Sequence, residues 1–343
     1  MSNMIRQKAA VSAAKRKWFL EVIVKRITNV IALAGLVAGG AFAQPYPNRV
    51  VRFISPYAPG GGTDIMARTL AQKLTEKFGQ QFVVENRAGG GGIVGIESVA
   101  KAPPDGYTIL LGSKGPLTMN PALHSKLPYD TLRDLAAISL IGSVPAVLVV
   151  HPSLPVKSVK ALLALAKSRS GELTFSSSGT SGTGHLSGEL FAALGGVKLV
   201  HVPYRGTGPA TIAILSGEVT FGFGNLVSLM PHVQSGQLRA LAVTSAKRIS
   251  AAPTLPTVAE AGLPGYEYVT WYGVLAPAQT PKDIVARLSA ELAKIVRLPE
   301  LRERLSGEGG EAVGSTPQEF ADYLKAEMAS SAKLVKIAKL RAE

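Results

Sequence analysis

Cysteine is absent from the 343 residues. That excludes disulfides, thiolate metal sites, iron–sulfur clusters and a cysteine nucleophile. Aromatic residues are sparse, at 6%, and charged residues make up only 17%. The five histidines (His124, His151, His185, His201, His232) show no H-x-x-x-H or other metal spacing. No metal site and no cofactor are therefore expected. Acids are outnumbered, with 23 Asp and Glu against 37 Lys and Arg, a net charge of +14. Much of that excess sits at one end. Residues 1–43 hold seven basic residues and one acid, Glu21; the remainder carries 30 basic and 22 acidic residues, or +8. These basic residues are scattered, and few aromatics interleave with them as base stacking would require. No nucleic-acid partner is expected; a mild positive field instead favours anions.

What the chain does have is apolar residues, at 46%, and length enough for two domains with filled cores. Arg6, Lys8, Lys15, Arg16, Lys17, Lys25 and Arg26 precede an uncharged stretch over 27–43 that ends Ala41-Phe42-Ala43. A basic region, a short apolar core and a small-x-small end read as a secretory signal peptide cleaved after Ala43. About 17 residues is short for a membrane anchor, and Gly39-Gly40 and Pro45-Tyr46-Pro47 favour cleavage. No second long apolar run follows, so the mature chain is expected to be soluble.

The mature chain alternates strand-like and helix-like segments. Strands are expected at 49–55, 81–85 and 107–111, with helices at 63–78 and 93–101. An irregular stretch around 121–128 interrupts the rhythm. It resumes with strands at 146–150, 172–176, 199–203, 218–223 and 238–245, separated by helices at 156–168, 182–194, 207–215 and 226–234. Residues 253–265 read as loop, 270–275 as a strand, and the C-terminal part as helices at 282–296, 299–305 and from 317. This rhythm predicts parallel sheets covered by helices, in two α/β lobes with a cleft between them. Ligands then sit beyond the carboxyl ends of strands, in strand-to-helix turns.

Two turns stand out. Tyr57-Ala58-Pro59-Gly60-Gly61-Gly62-Thr63-Asp64 lets backbone approach a ligand and leaves free amides at a helix start, which favours an anion. Ser176-Ser177-Ser178-Gly179-Thr180-Ser181-Gly182-Thr183-Gly184-His185 is its counterpart, crowded with hydroxyls. Two helix N-termini facing each other would clamp a carboxylate. Competing motifs are weaker. Gly179-Thr180-Ser181-Gly182-Thr183 approaches G-x-S-x-G, but nothing in the sequence pairs His201 or His232 with Ser181. Gly90-x-Gly92-x-x-Gly95 matches a dinucleotide string but follows a second strand in a glycine run, and reads as a turn.

Taken in order, YPNRVVRFISPYAPGGGTDIMAR, FGQQFVVENRAGGGGIVG, APPDGYTILLG, SSSGTSGTGHLSGELF, VKLVHVPYRGTGPA and WYGVLAPAQTPKDIVARL resemble the Bug family, the periplasmic receptors of tripartite tricarboxylate transporters. The resemblance runs over essentially all of 46–343. It implies a type II periplasmic-binding-protein fold, with residues 1–43 as signal peptide, lobe 1 over 44–143 plus 267–343, and lobe 2 over 144–266. It implies no enzyme but a monomeric receptor in the periplasm, with a small organic acid and membrane permease subunits as partners. A receptor that signals to a membrane kinase would read the same, and a serine hydrolase is the remaining alternative.

Carried over, the resemblance places Tyr57, Gly61, Gly62, Thr63 and Asp64 on one side of the ligand, and Ser178, Gly179, Thr180, Ser181 and His185 on the other. Ser113, Tyr204 and Asn225 follow other strands and face the cleft. His185 can instead pack its own helix, Tyr204 and Trp271 can be core aromatics, and Arg205 reads as exposed. Many relatives carry Asp where this chain has Gly224. Its loss weakens the case for an amino-acid ligand and leaves room for a bulkier or aromatic acid.

Overall fold

The computed structural model describes residues 46–338 together with Trp18 and Leu340. The signal-peptide reading of 1–43 therefore lies outside the described residues, Trp18 apart.

The first strand, β1 (Val51–Ser55), buries Val51, Phe53 and Ile54 completely. Burial on both faces is what a helix-covered parallel strand requires. Helix α1 (Gly62–Phe78) follows and buries Met66, Leu70 and Leu74, one helical turn apart, before a left-handed Gly79 ends it. Then come β2 (Phe82–Asn86), a tight turn at Gly90–Gly92, α2 (Ile93–Ala100) and β3 (Thr108–Ser113). A π-turn at Gly115–Met119 and single-turn helices at Asn120–Leu123 and Thr131–Asp134 lead into β4 (Leu135–Pro145).

Next are β5 (Val147–Val150), α3 (Val159–Ser168), β6 (Thr174–Ser177) and α4 (Thr183–Gly195). After them run β7 (Val200–Pro203), α5 (Thr207–Leu215), β8 (Phe221–Gly224), α6 (Leu226–Gln234) and β9 (Arg239–Val243). The chain closes with β10 (Val269–Pro277), α7 (Lys282–Val296), α8 (Pro299–Gly307), β11 (Glu311–Ala312) and α9 (Pro317–Ala338). Among the described residues, no helix is long and apolar enough to cross a membrane.

The strands form two sheets, in the orders β11-β4-β10-β3-β1-β2 and β7-β6-β8-β5-β9. β1, β2 and β3 pair in parallel, as do β6, β7 and β8. The parallel sheets expected from the alternation also contain antiparallel pairs. β10 runs antiparallel to β3 and β4, and β5 antiparallel to β8 and β9. The reason is topological. The chain passes from the first sheet to the second through β4 and β5 and returns through β10, so the outward and returning strands lie side by side in opposite directions. β4, absent from the alternation read in the sequence, is the longest strand described and carries that crossing.

Thr244 ties the crossing together. Its hydroxyl accepts from Ala146 N–H at 2.7 Å, its own N–H donates to Ala146 O, and its carbonyl accepts from Tyr268 N–H at 2.9 Å. The second sheet is covered on both faces: Leu148 and Val150 join a core with Phe175, Phe191, Phe221 and Tyr266, and Val147 and Val149 one with Leu226 and Leu229. That alternation is the period-two pleat of a buried strand.

Candidate functional site

The carboxyl ends of β1, β6, β7 and β8 each feed a helix. The residues at those starts are Gly61 for α1, Gly182 for α4, Gly206 for α5 and Asn225 for α6. None caps its helix through a side chain. By contrast Ser158, at the start of α3, accepts from Ala161 N–H. All four starts line one cleft between the two sheets, of about 90 Å³. A helix N-terminus carries roughly half a positive charge on its unpaired amides, so the four together make a strongly anion-seeking cavity. Hydroxyls of Thr63, Ser113, Ser178, Ser181, Thr183 and Thr207 lie around them.

Among the described residues, no Asp, Glu, Lys, Arg or His side chain lines this cleft. Lys114, between two cleft residues, turns away to pair with Glu327 Oε2 at 3.0 Å and lies 5.4 Å from the Tyr268 ring. Glu327 also accepts from Trp271 Nε1, so the fully buried Trp271 belongs to the core. Tyr57 stays neutral: burial of its phenol pushes its pKa up to about 12, and Ser113 offsets only part of this. Burial likewise raises Tyr272, beside Asn225.

The fit across the cleft is tight. An ideal Cβ on Gly62 would lie 2.5 Å from both Asn225 Nδ2 and Tyr272 Oη, and one on Gly61 3.6 Å from Thr207 Oγ1. A side chain at position 62 would therefore have to displace Asn225 and Tyr272, although the φ of Gly62 is not left-handed.

Of the residues read from the sequence, Tyr57, Gly61, Gly62, Thr63, Ser113, Ser178, Ser181 and Asn225 line the cleft. Five do not. Asp64 is buried behind the first turn, where it accepts from Gly60 N–H at 3.0 Å, Asn86 Nδ2 at 2.8 Å and Arg68 Nε at 3.1 Å. Burial alone would raise its pKa, but these donors outweigh it and hold the carboxyl below its ordinary range. Asp64 thus shapes the Gly60-Gly61-Gly62 turn. Gly179 and Thr180 form the back of their turn, with Gly179 N–H on Ser177 Oγ at 3.2 Å. Tyr204 points its hydroxyl to Glu218 at 2.7 Å.

His185 lies beneath the turn. Its Nδ1 accepts from Ser181 N–H at 3.1 Å. Ser181, at φ 57°, is the only non-glycine in the left-handed region among the described residues. That conformation costs an L-residue roughly 1–2 kcal/mol, so an acceptor fixed below it matters. The His185 ring stacks 4.1 Å from His201, which stacks 5.0 Å from Phe175. His201 Nε2 meets Ser177 Oγ at 2.6 Å. At this turn a serine–histidine side-chain contact joins Ser177 and His201, while His185 holds the backbone of Ser181.

The glycine run Gly89-Gly90-Gly91-Gly92 has positive φ throughout and forms the expected turn. It receives the second lobe. A Cβ on Gly91 would lie 2.9 Å from Ser181 Cβ and 3.0 Å from Thr180 O, and one on Gly115 would collide with Ser181 O.

Sequence reasoning missed Thr207, Ile214, Leu229, Thr270 and Tyr272, all of which line the cleft. Thr207 was within reach, since it opens a strand-to-helix turn of the same kind. Thr270 and Tyr272 look like core residues of a strand until the β10–β3 pairing is known. Gly224 also needs correction. A Cβ there would lie 2.8 Å from Leu229 Cδ1, so Leu229 occupies the space and the glycine does not leave it open.

A model of the tripartite tricarboxylate transporter family receptor matches residues 66–340. Protein BugT of Bordetella pertussis is 38% identical over 299 residues, covering 87% of this chain and 91% of that protein. The solved R. palustris protein Rpa4515 with adipate matches at a TM-score of 0.82 and 38% identity, covering 86% of this chain and 99% of that one. The periplasmic binding protein BugD matches at a TM-score of 0.81 and 33% identity, covering 87% of this chain and all, 100%, of that one. The family is described as a receptor family, and BugD as a periplasmic binding protein. With two α/β lobes around a cleft that four helix N-termini enter, the chain belongs to the tripartite tricarboxylate transporter receptor family, the Bug solute-binding proteins.

Proposed function

We propose that this protein is a periplasmic receptor that captures a small organic carboxylate and hands it to the membrane permease subunits of a tripartite tricarboxylate transporter. The single observation that carries this reading is the convergence of four helix N-termini without side-chain caps on one uncharged cleft. An anion there gains from every helix dipole and displaces no counter-ion. The R. palustris relative with adipate supports the same ligand class.

In this reading lobe 1 spans 44–143 and 267–343 and lobe 2 spans 144–266. They close on the acid about the crossing strands, because only the closed state lets one ligand touch both turns. Residues 1–43 would direct export and be removed after Ala43, and the mature receptor would act as a monomer.

The test is native mass spectrometry of protein purified from the periplasm. A co-purified organic acid and a mature N-terminus at Gln44 are expected. An acid-free protein whose melting temperature does not move with adipate or other short carboxylates would refute the receptor reading.

A further inference from the structure

The cleft that attracts anions also has a pronounced charge asymmetry. Four helix N-termini point in, and among the described residues no carboxylate lines the cleft they enter. Asp64 is only 3% exposed, stands behind α1's first turn and is already engaged by Arg68, Asn86 and Gly60 N–H. Part of the second-lobe wall, beside the hydroxyl-rich turns, is apolar. Gly222 and Gly224 of β8 let Ile214 and Leu229 lie over the strand: a Cβ on either glycine would come within 2.6 Å of Ile214 Cδ1 or 2.8 Å of Leu229 Cδ1. Both side chains line the cleft, with Ala210 beside them.

An ammonium group brought into this space would lose its hydration shell, meet positive helix ends and find no counter-charge. Each of these disfavours it, and burial of an unpaired charge is the costliest.

We propose that the cleft selects carboxylates that lack an amino group, with the ligand's carbon skeleton resting on Leu229 and Ile214, and rejects α-amino acids of the same skeleton. This rests on the carboxylate-receptor reading above and narrows its substrate class.

The experiment is isothermal titration calorimetry of the mature chain at neutral pH with three matched pairs: succinate and aspartate, adipate and 2-aminoadipate, 3-phenylpropanoate and phenylalanine. At least one unaminated acid is expected to bind, with its aminated partner weaker by roughly 100-fold or more, the scale on which a site rejects a misplaced polar group. An aminated partner that binds as tightly as its acid overturns the inference and leaves the receptor reading intact. If none of the six binds, the receptor reading fails and this inference with it. The double substitution Gly224→Asp with Leu229→Ala removes the clash and places a carboxylate on the wall. It is expected to narrow the discrimination within the binding pair at least tenfold. A variant that still binds the acid with unchanged discrimination also overturns the proposal. The wild-type pairs decide the matter even if the variant does not fold.

Discussion

Gly62 and Asp64 stand two residues apart and do different work. Gly62 brings backbone into the cleft, and any side chain there meets Asn225 and Tyr272 at 2.5 Å. Gly62→Ala is expected to weaken carboxylate binding by roughly tenfold or more, since overpacking costs about 1–3 kcal/mol and here falls on the cleft. Calorimetry checks this, and a thermal melt of the unliganded protein separates lost binding from lost stability. Asp64 never reaches the cleft but is hydrogen-bonded by three groups. Asp64→Asn is expected to cost about 1.5–3 kcal/mol at neutral pH, the scale of charge-assisted hydrogen bonds. Because the folded carboxyl titrates below its ordinary range, its contribution is complete above that range. It is lost as pH falls through the folded value. Urea melts of both proteins at neutral and strongly acidic pH should therefore converge in acid.

Turns rather than whole helices set the cleft's geometry. The Ser178-Gly179-Thr180-Ser181 turn is held from below by His185 and the His201–Phe175 stack, and its tip lies on Gly91 and Gly115 of the first lobe. These two glycines act as a socket without side chains. Gly115→Ala would collide with Ser181 O and so hold the two turns apart. Its expected effect is a loss of affinity of roughly tenfold, with a larger radius of gyration for the ligand-mixed protein in small-angle scattering. Equal affinity and equal compaction would show that the tip does not need the socket.

At the scale of the whole molecule, the buried tyrosines and the missing charges set the pH behaviour. With no carboxylate, amine or imidazole lining the cleft among the described residues, affinity for a fully ionised acid is expected to stay flat between about pH 6 and 9. A titration across that range checks it. Tyr57 is raised to about 12 by burial, and Tyr266, Tyr268 and Tyr272 are raised by the same cause. A raised value means their stabilising contribution is complete below about pH 10, where unfolded tyrosine begins to ionise, and is lost as pH rises through the folded values. The melting temperature should hold to about pH 10 and then fall steeply.

The alternating segments, the two glycine- and hydroxyl-rich turns and eight of the cleft-lining residues were legible in the sequence alone, because strand ends and helix starts are local events. Fold alternation and turn chemistry need only neighbours along the chain. What tertiary structure decided was everything that depends on the double crossing between sheets. It fixed the antiparallel placement of β10 that brings Tyr272 beside Asn225, and the packing of Leu229 into the space over Gly224. It turned Tyr204 and Asp64 toward their own partners and away from the cleft. Pairing and packing between distant segments have no local signature, so residue type and spacing cannot reveal them.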